Sequence, residues 1–219
     1  MPHRKKPDII ITMDEVTIRR AVLSDLPYLY EVCLKTGDGG KDASDLYFDQ
    51  YLLGHYYAAP YLLYQAGICF TAEYQRRPQG YILAAPDTDV FKKWMEEQWL
   101  PPLRKRYQLP YPSTLIRSER EKQIIELFHN TQFPVNAYDQ PWLAQYPAHL
   151  HIDLLPSLQG KGTGRALINN LFAELESQGV PGIHLGVSAS NTGAIAFYKK
   201  IGFSVLKEHD WGLTMGKRC

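Results

Sequence analysis

His149, His151 and Asp153 occupy alternate positions in the run Ala148-His149-Leu150-His151-Ile152-Asp153-Leu154-Leu155-Pro156. In an extended strand alternate side chains share a face, so these three lie on one side and Leu150, Ile152 and Leu154 on the other. Two imidazoles and a carboxylate on one strand face can anchor a cationic group or take a proton from it. With a fourth donor they would hold zinc, but none is in view, and no metal is expected. Beyond the proline comes Gln159-Gly160-Lys161-Gly162-Thr163-Gly164-Arg165. Alternating glycines let backbone N–H groups converge on an anion, and a helix N-terminus behind them adds partial positive charge. The nucleotide P-loop is excluded, because no Gly-Lys-Ser/Thr closes the run. The dinucleotide fingerprint fails as well: position 167 is leucine where a third glycine should stand. A tight turn that caps a helix and binds nothing is the other reading.

These groups need elements to hold them. Val16-Thr17-Ile18-Arg19 alternates as a first strand, and Ser24-Asp25-Leu26-Pro27 opens a helix carrying Leu26, Leu29, Tyr30 and Cys33. Thr36-Gly37-Asp38-Gly39-Gly40 is a loop. Within it Asp38, and just after it Asp42, are candidates either to recognise a cationic amine or to bond their own turn. A second helix is expected around 43–53, strands over 68–74 and 80–84 with the turn at 75–79, and helices over 91–107 and 117–128. The strand 149–154, the glycine loop and a helix over 162–178 follow. A strand over 183–187, a helix over 191–201 and strands over 203–207 and 213–216 complete the chain. Tyr198 lies on the apolar stripe of the 191–201 helix with Ala194, Phe197 and Ile201. The order strand, loop, helix, strand, helix, strand is α/β. The aromatic run from Tyr47 through Phe48, Tyr51, His55, Tyr56, Tyr57 and Tyr61 to Tyr64 walls an acceptor pocket or packs a core. Trp94, Trp99 and Trp142 carry the same two readings.

The chain has 219 residues, 45% hydrophobic and 21% charged, with a formal net charge of +1. That balance gives no reason to expect nucleic acid or a membrane surface as a partner. Three widely spaced cysteines, Cys33, Cys69 and Cys219, form neither a disulfide framework nor a zinc cluster and suit a reducing compartment. The basic start, MPHRKKPD, lacks the apolar stretch of a signal peptide, and no run is long enough to span a bilayer. A cytoplasmic protein is expected. Residues 1–14 read as a flexible basic tail and 15–219 as one domain, with 91–148 as an insertion or substrate-covering segment.

Gln159 to Gly164 meets the pattern Q/R-x-x-G-x-G/A without mismatch. In this it resembles the pyrophosphate loop of the GCN5-related N-acetyltransferases (GNAT). About thirty residues later, Asn191-Thr192-Gly193-Ala194-Ile195-Ala196-Phe197-Tyr198-Lys199-Lys200-Ile201-Gly202-Phe203 matches that family's N-x-x-A-x-x-F-Y-x-x-x-G-F. The close resemblance covers roughly residues 146–207. Thr36 to Ala43 and Tyr146 to Asp153 further resemble the acetyltransferase-like domain attached to O-GlcNAc hydrolases and its bacterial stand-alone relatives. The animal versions lack the glycine loop; this chain keeps it.

The resemblance implies a GNAT fold: a mixed, mostly antiparallel sheet, splayed at the cofactor, with helices on both faces. It implies acetyl-CoA as cosubstrate and direct transfer to a primary amine of a small molecule or peptide, in a monomer or homodimer. Ile152, Asp153 and Leu154 would hold the acetyl group and pantetheine. Gln159, Gly160, Lys161, Gly162, Thr163, Gly164 and Arg165 would take the pyrophosphate, with Asn191 near the cofactor arm. Tyr198 would protonate the departing thiolate. Asp153 is the first candidate for base or amine anchor, with His149 and His151 as alternatives. A catalytically silent module of the same fold, binding acetyl-CoA or another ligand in that groove, is the rival reading.

Overall fold

The computed structural model describes residues 11–13, 16–65, 67–130 and 141–219. The strands are β1 (Ile11–Met13), β2 (Val16–Arg20), β3 (Ile68–Tyr74), β4 (Arg77–Ala85), β5 (Ala148–Leu154), β6 (Gly182–Ser188), β7 (Ser204–His209) and β8 (Gly212–Arg218). They form one sheet in the order β1-β2-β3-β4-β5-β6-β8-β7. Every pairing is antiparallel except β5 with β6. The helices are α1 (Leu26–Thr36), α2 (Leu52–Tyr57), α3 (Ala59–Leu63), α4 (Thr88–Trp94), α5 (Leu100–Arg106), α6 (Glu119–His129), α7 (Thr163–Ser177) and α8 (Thr192–Lys200). A π-helical turn, Met95–Trp99, joins α4 to α5.

The sheet divides two cores. Strand alternation sends Cys69, Tyr81, Leu83 and Ala85 to one side, against buried residues of α1 to α6. It sends Ile68, Phe70, Ile82, Ala84 and Leu150 to the other, where they meet Leu167, Leu171, Leu175 and Tyr198 of α7 and α8. β5 follows the expected parity: Leu150, Ile152 and Leu154 pack on the α7–α8 side.

Three expectations are corrected. The tail does not extend to 14: Ile11–Met13 pairs with Val16–Ile18, while residues 1–10 lie outside the described residues. The helix expected over 43–53 is broken. Ser44–Leu46 makes a single 3-10 turn, and regular helix resumes only at Leu52. The intervening Phe48 and Asp49 N–H groups donate instead to Glu121 Oε1 on α6, at 2.9 and 3.1 Å. The hairpin turn between β3 and β4 is the pair Gln75-Arg76, at φ 50° and 63°, rather than 75–79. Gly80 lies inside β4 because a Cβ there would come 2.3 Å from the Leu154 side chain.

Between β4 and β5 the chain inserts α4, α5 and α6, whose Phe91, Leu100, Leu103, Ile125 and Phe128 join the first core. This part of 91–148 is packed against the domain rather than appended to it; residues 131–140 lie outside the described residues.

Candidate active site

The parallel ladder between β5 and β6 has two rungs, Ala148 with Ile183 and His149 with His184. Both strands run on, β5 to Leu154 and β6 to Ser188, without pairing again. The sheet therefore splays. A cavity of about 580 Å³ opens there, lined by Leu150 to Asp153 from β5 and Leu185 to Ser188 from β6. That size suits a small-molecule site. Its remaining walls are α1 and the glycine loop after it, Tyr47, Leu53 and Tyr57, one face of α6, the start of α8 and Trp211.

Asp153 and Tyr198 both line this cavity. The Tyr81 hydroxyl donates to Asp153 Oδ2 at 2.6 Å. Burial pushes the Asp153 carboxyl above the usual carboxylate range, against the pull of hydrogen bonds from Tyr81 and Thr36. Burial, helped by the Asp153 charge, raises the Tyr198 phenol above its ordinary value, so it carries its proton at neutral pH. Cys33 also lines the cavity, but burial raises its thiol, which leaves it a poor nucleophile.

The histidines divide. His151 lines the cavity, and its Nε2 lies 3.1 Å from the Tyr61 hydroxyl. His149 does not line it. It sits one step deeper, with Nε2 2.8 Å from the same hydroxyl and Nδ1 2.8 Å from Thr88 Oγ1. Thr88 Oγ1 donates its proton to Pro147 O at 2.6 Å, so it accepts from His149 Nδ1–H. That fixes His149 Nε2 as an acceptor for the Tyr61 O–H, and Tyr61 oxygen in turn accepts from His151 Nε2–H. Neutral His151 consequently keeps its lone pair on Nδ1. Burial lowers His151 to about 4, and burial, with help from His184 and His151, also holds His149 well below the usual imidazole range. His149 thus orients its neighbour and does not reach an acceptor.

Asp38 lines the cavity, paired with Arg120 of α6. Asp42 lies outside it. Its carboxylate takes Lys35 Nζ at 2.8 Å and Ser44 N at 2.8 Å, and these bonds hold it at about 2. It is a turn residue.

The glycine loop follows β5 directly. Gln159 Nε2 donates to Leu154 O at 2.8 Å, tying the loop to the strand end. Leu154 itself packs into the α7–α8 core rather than into the cavity. Gly160 and Gly162 have φ of 72° and 82°, a region costly for any residue with a Cβ. A Cβ at Gly160 would meet nothing within 4 Å, so space lies open over the loop. No side chain caps α7 at Gly162, which leaves its first-turn N–H groups available, whereas Asn191 Oδ1 caps α8 through Ala194 N at 3.1 Å. An open cradle ahead of an uncapped helix fits a diphosphate. Lys161 Nζ rests over the Tyr74 ring, and a Cβ at Gly164 would lie 3.3 Å from Phe197, so the start of α7 is packed on α8.

Ile152, Asp153, Asn191, Tyr198, Asp38 and His151 thus meet at one cavity, with Gln159 to Arg165 on the loop beyond it. Sequence reasoning missed Thr36, Arg120, Gln123 and Trp211 there, and Tyr81, which does not line the cavity but holds Asp153. Tyr81 was findable in principle, since β4 parity puts it on the face of Asp153. Nothing local marks Arg120, which reaches Asp38 across 82 positions. The aromatic run serves in both ways: Tyr47 and Tyr57 line the cavity and Tyr61 supports it from behind. Among the described residues no group of His, Cys, Asp or Glu is arranged to hold a metal, and no helix is long and apolar enough to cross a membrane.

Known proteins match this architecture. Residues 117–203 match the acetyltransferase (GNAT) family. The crystal structure of SsHAT is 32% identical, with a TM-score of 0.81 over 93% of this chain and 98% of that one. The PaiA N-acetyltransferase of Thermoplasma acidophilum, solved in complex with coenzyme A, shares the fold at 16% identity and a TM-score of 0.53, over 93% and 99% of the two chains. The [ribosomal protein bS18]-alanine N-acetyltransferase of Escherichia coli K12 is 49% identical over 49 residues, 22% of this chain and 33% of that protein. The match therefore spans a third of the length of that curated relative. With the splayed sheet, the loop and the two motifs in register, the chain belongs to the GNAT family of acetyltransferases, whose acyl donor is acetyl-CoA.

Proposed function

We propose that the protein transfers an acetyl group from acetyl-CoA directly to a primary amine. The observation that carries this is the opening between β5 and β6. Backbone groups of β5 left unpaired by the splay border the same cavity as Asp153 and Tyr198. In this reading β5 holds the pantetheine and a backbone N–H there receives the developing oxyanion. The loop Gln159 to Gly164 holds the diphosphate, with Lys161 and Arg165 beside it.

Asp153 takes the proton of the attacking amine, which its burial-raised carboxyl suits. His151 Nδ1, fixed by the Tyr61–His149–Thr88 chain, is the second acceptor on the same wall. Tyr198 protonates the departing sulfur. The two steps support each other. The Asp153 charge is one of the causes that raise the Tyr198 phenol, so protonating Asp153 makes Tyr198 a stronger acid as the thiolate forms. Cys33, buried and protonated, argues for direct attack over an acyl-enzyme.

The likeness to the acetyltransferase-like domain of O-GlcNAc hydrolases supports the same view. Of the two segments that carry it, Thr36 to Gly40 and Leu150 to Asp153 border this cavity, and the loop those animal domains lack is present. The test is calorimetric titration with acetyl-CoA, CoA, ATP and NAD, beside release of free CoA with an amine panel. Selective binding of acetyl-CoA and CoA, lost in Gly162→Trp, with amine-dependent CoA release, is expected. Binding without turnover would leave a silent module of the same fold.

A further inference from the structure

Among the residues that line the cavity, α6 alone supplies a positive charge. At the reacting end stand Asp153, His151, Tyr57 and Tyr198, with no lysine or arginine. From α6, Arg120, Gln123 and Ile124, spaced as one helical face, also line the cavity. The aspartates that sequence offered as receivers of a cationic amine are both committed, Asp38 to Arg120 and Asp42 to Lys35. A cation in the wall of an amine site is a liability unless the amine brings an anion with it.

Arg120 has capacity to spare. Its contact with Asp38 runs through Nη1, and its Nε and Nη2 hold no hydrogen bond among the described residues. The Gln123 carboxamide, one turn along, is likewise uncommitted there. Both partners of the Arg120–Asp38 pair are substantially exposed, so the pair itself contributes little and is easily shared. A guanidinium fork beside a carboxamide matches a planar carboxylate.

We propose that the acceptor is a primary amine that also carries a carboxylate, and that Arg120, with Gln123 beside it, receives that carboxylate while the amine lies at Asp153 and Tyr198. This rests on the acetyl-transfer reading above. It makes the insertion between β4 and β5, through α6, the source of acceptor selectivity.

The test measures CoA release at saturating acetyl-CoA with matched acceptors: β-alanine and β-alaninamide, L-tyrosine and L-tyrosinamide, and phosphoethanolamine. Each kcat/KM is compared between the wild type and Arg120→Met, which cancels the different basicities of the amines. The acid-to-amide ratio is expected to fall at least tenfold in Arg120→Met and only partly in Arg120→Lys. It should rise in Asp38→Asn, which frees the guanidinium. Unchanged melting temperatures would exclude misfolding. A ratio unaltered by Arg120→Met, or phosphoethanolamine preferred over both acids, would overturn the proposal and leave acetyl transfer standing. If no amine is acetylated, binding of N-acetyl-β-alanine and N-acetyl-β-alaninamide to the CoA complex decides. Selective, Arg120-dependent binding of the acid would sustain the carboxylate site while acetyl transfer fails. Equal or absent binding would overturn the site as well.

Discussion

Asp153 and Tyr198 are two titrating groups whose environments are linked, and that linkage is measurable. Tyr198→Phe keeps the ring packed against Phe197 and Phe203 and removes only the proton. It should lower kcat by about 100-fold or more, the usual scale for a general acid, with little change in acetyl-CoA affinity. Asp153→Asn should act similarly on kcat. If protonation of Asp153 strengthens Tyr198, the double variant loses less than the product of the single losses, as measured by a double-mutant cycle on kcat. The buried histidines give a second prediction. His151 and His184 are held near 4 by burial, against about 6.5 in the unfolded chain. Between those values the unfolded state binds more protons than the folded one. The stability they confer is therefore complete above pH 6.5 and is lost as pH falls toward 4, at up to about 3 kcal/mol per histidine. Urea melts at pH 7.5, 6 and 5 should show falling midpoints. His151→Gln should flatten that slope.

At the scale of elements, the glycine loop and α8 behave as one unit, because Gly164 lets the first turn of α7 close onto Phe197. Gly164→Val would force the ring aside and lift the loop. The expected result is acetyl-CoA affinity weakened by tenfold or more, with a fall of about 1–3 kcal/mol in stability from overpacking. Calorimetry and a denaturant melt read the two separately. Elements whose periodicity is local were legible in the sequence. β2, α1, α7 and α8 fall within a residue or two of the pattern of their apolar positions and caps, and the parity of β5 set the faces of its histidines and aspartate correctly. What failed was decided from a distance. The 43–53 helix breaks because Glu121, some 72 positions away, takes the N–H groups of Phe48 and Asp49. The turn expected over 75–79 shrinks to Gln75-Arg76 because β4 starts at Arg77, with Gly80 inside the strand facing the side chain of Leu154. Asp42 was a candidate to recognise an amine, and its side chain serves a local turn instead. Arg120 could not be assigned before α6 was seen to face the cleft.

For the molecule as a whole, the sheet separates two cores of unlike duty. The α7–α8 side is a dense aliphatic layer on which stability rests. Phe70, fully buried there, should cost about 3–5 kcal/mol when replaced by alanine, seen as a lowered denaturant midpoint with acetyl-CoA affinity kept. The α1–α6 side is aromatic, hydrogen-bonded and open to the cavity, and variants there should alter turnover more than midpoint. In the reading proposed above, CoA would bind at the junction of the halves. A ligand at one hundred times its dissociation constant should stabilise the fold by about 2.7 kcal/mol.

That junction has another side. Strands that part after two rungs create, in the middle of a sheet, what proteins otherwise confine to its margins: backbone donors and acceptors with no partner. Such rows recruit foreign strands and seed aggregates. Here the opening is fenced by the Gly37 to Gly40 loop, by the Arg120–Asp38 pair and by Trp211. In the reading proposed above, a slender pantetheine arm enters this opening. Filling the gap would then do more than prepare a reaction. The acetyl donor would serve as the missing strand, and the protein heated with CoA should scatter less light than its gain in melting temperature alone would predict.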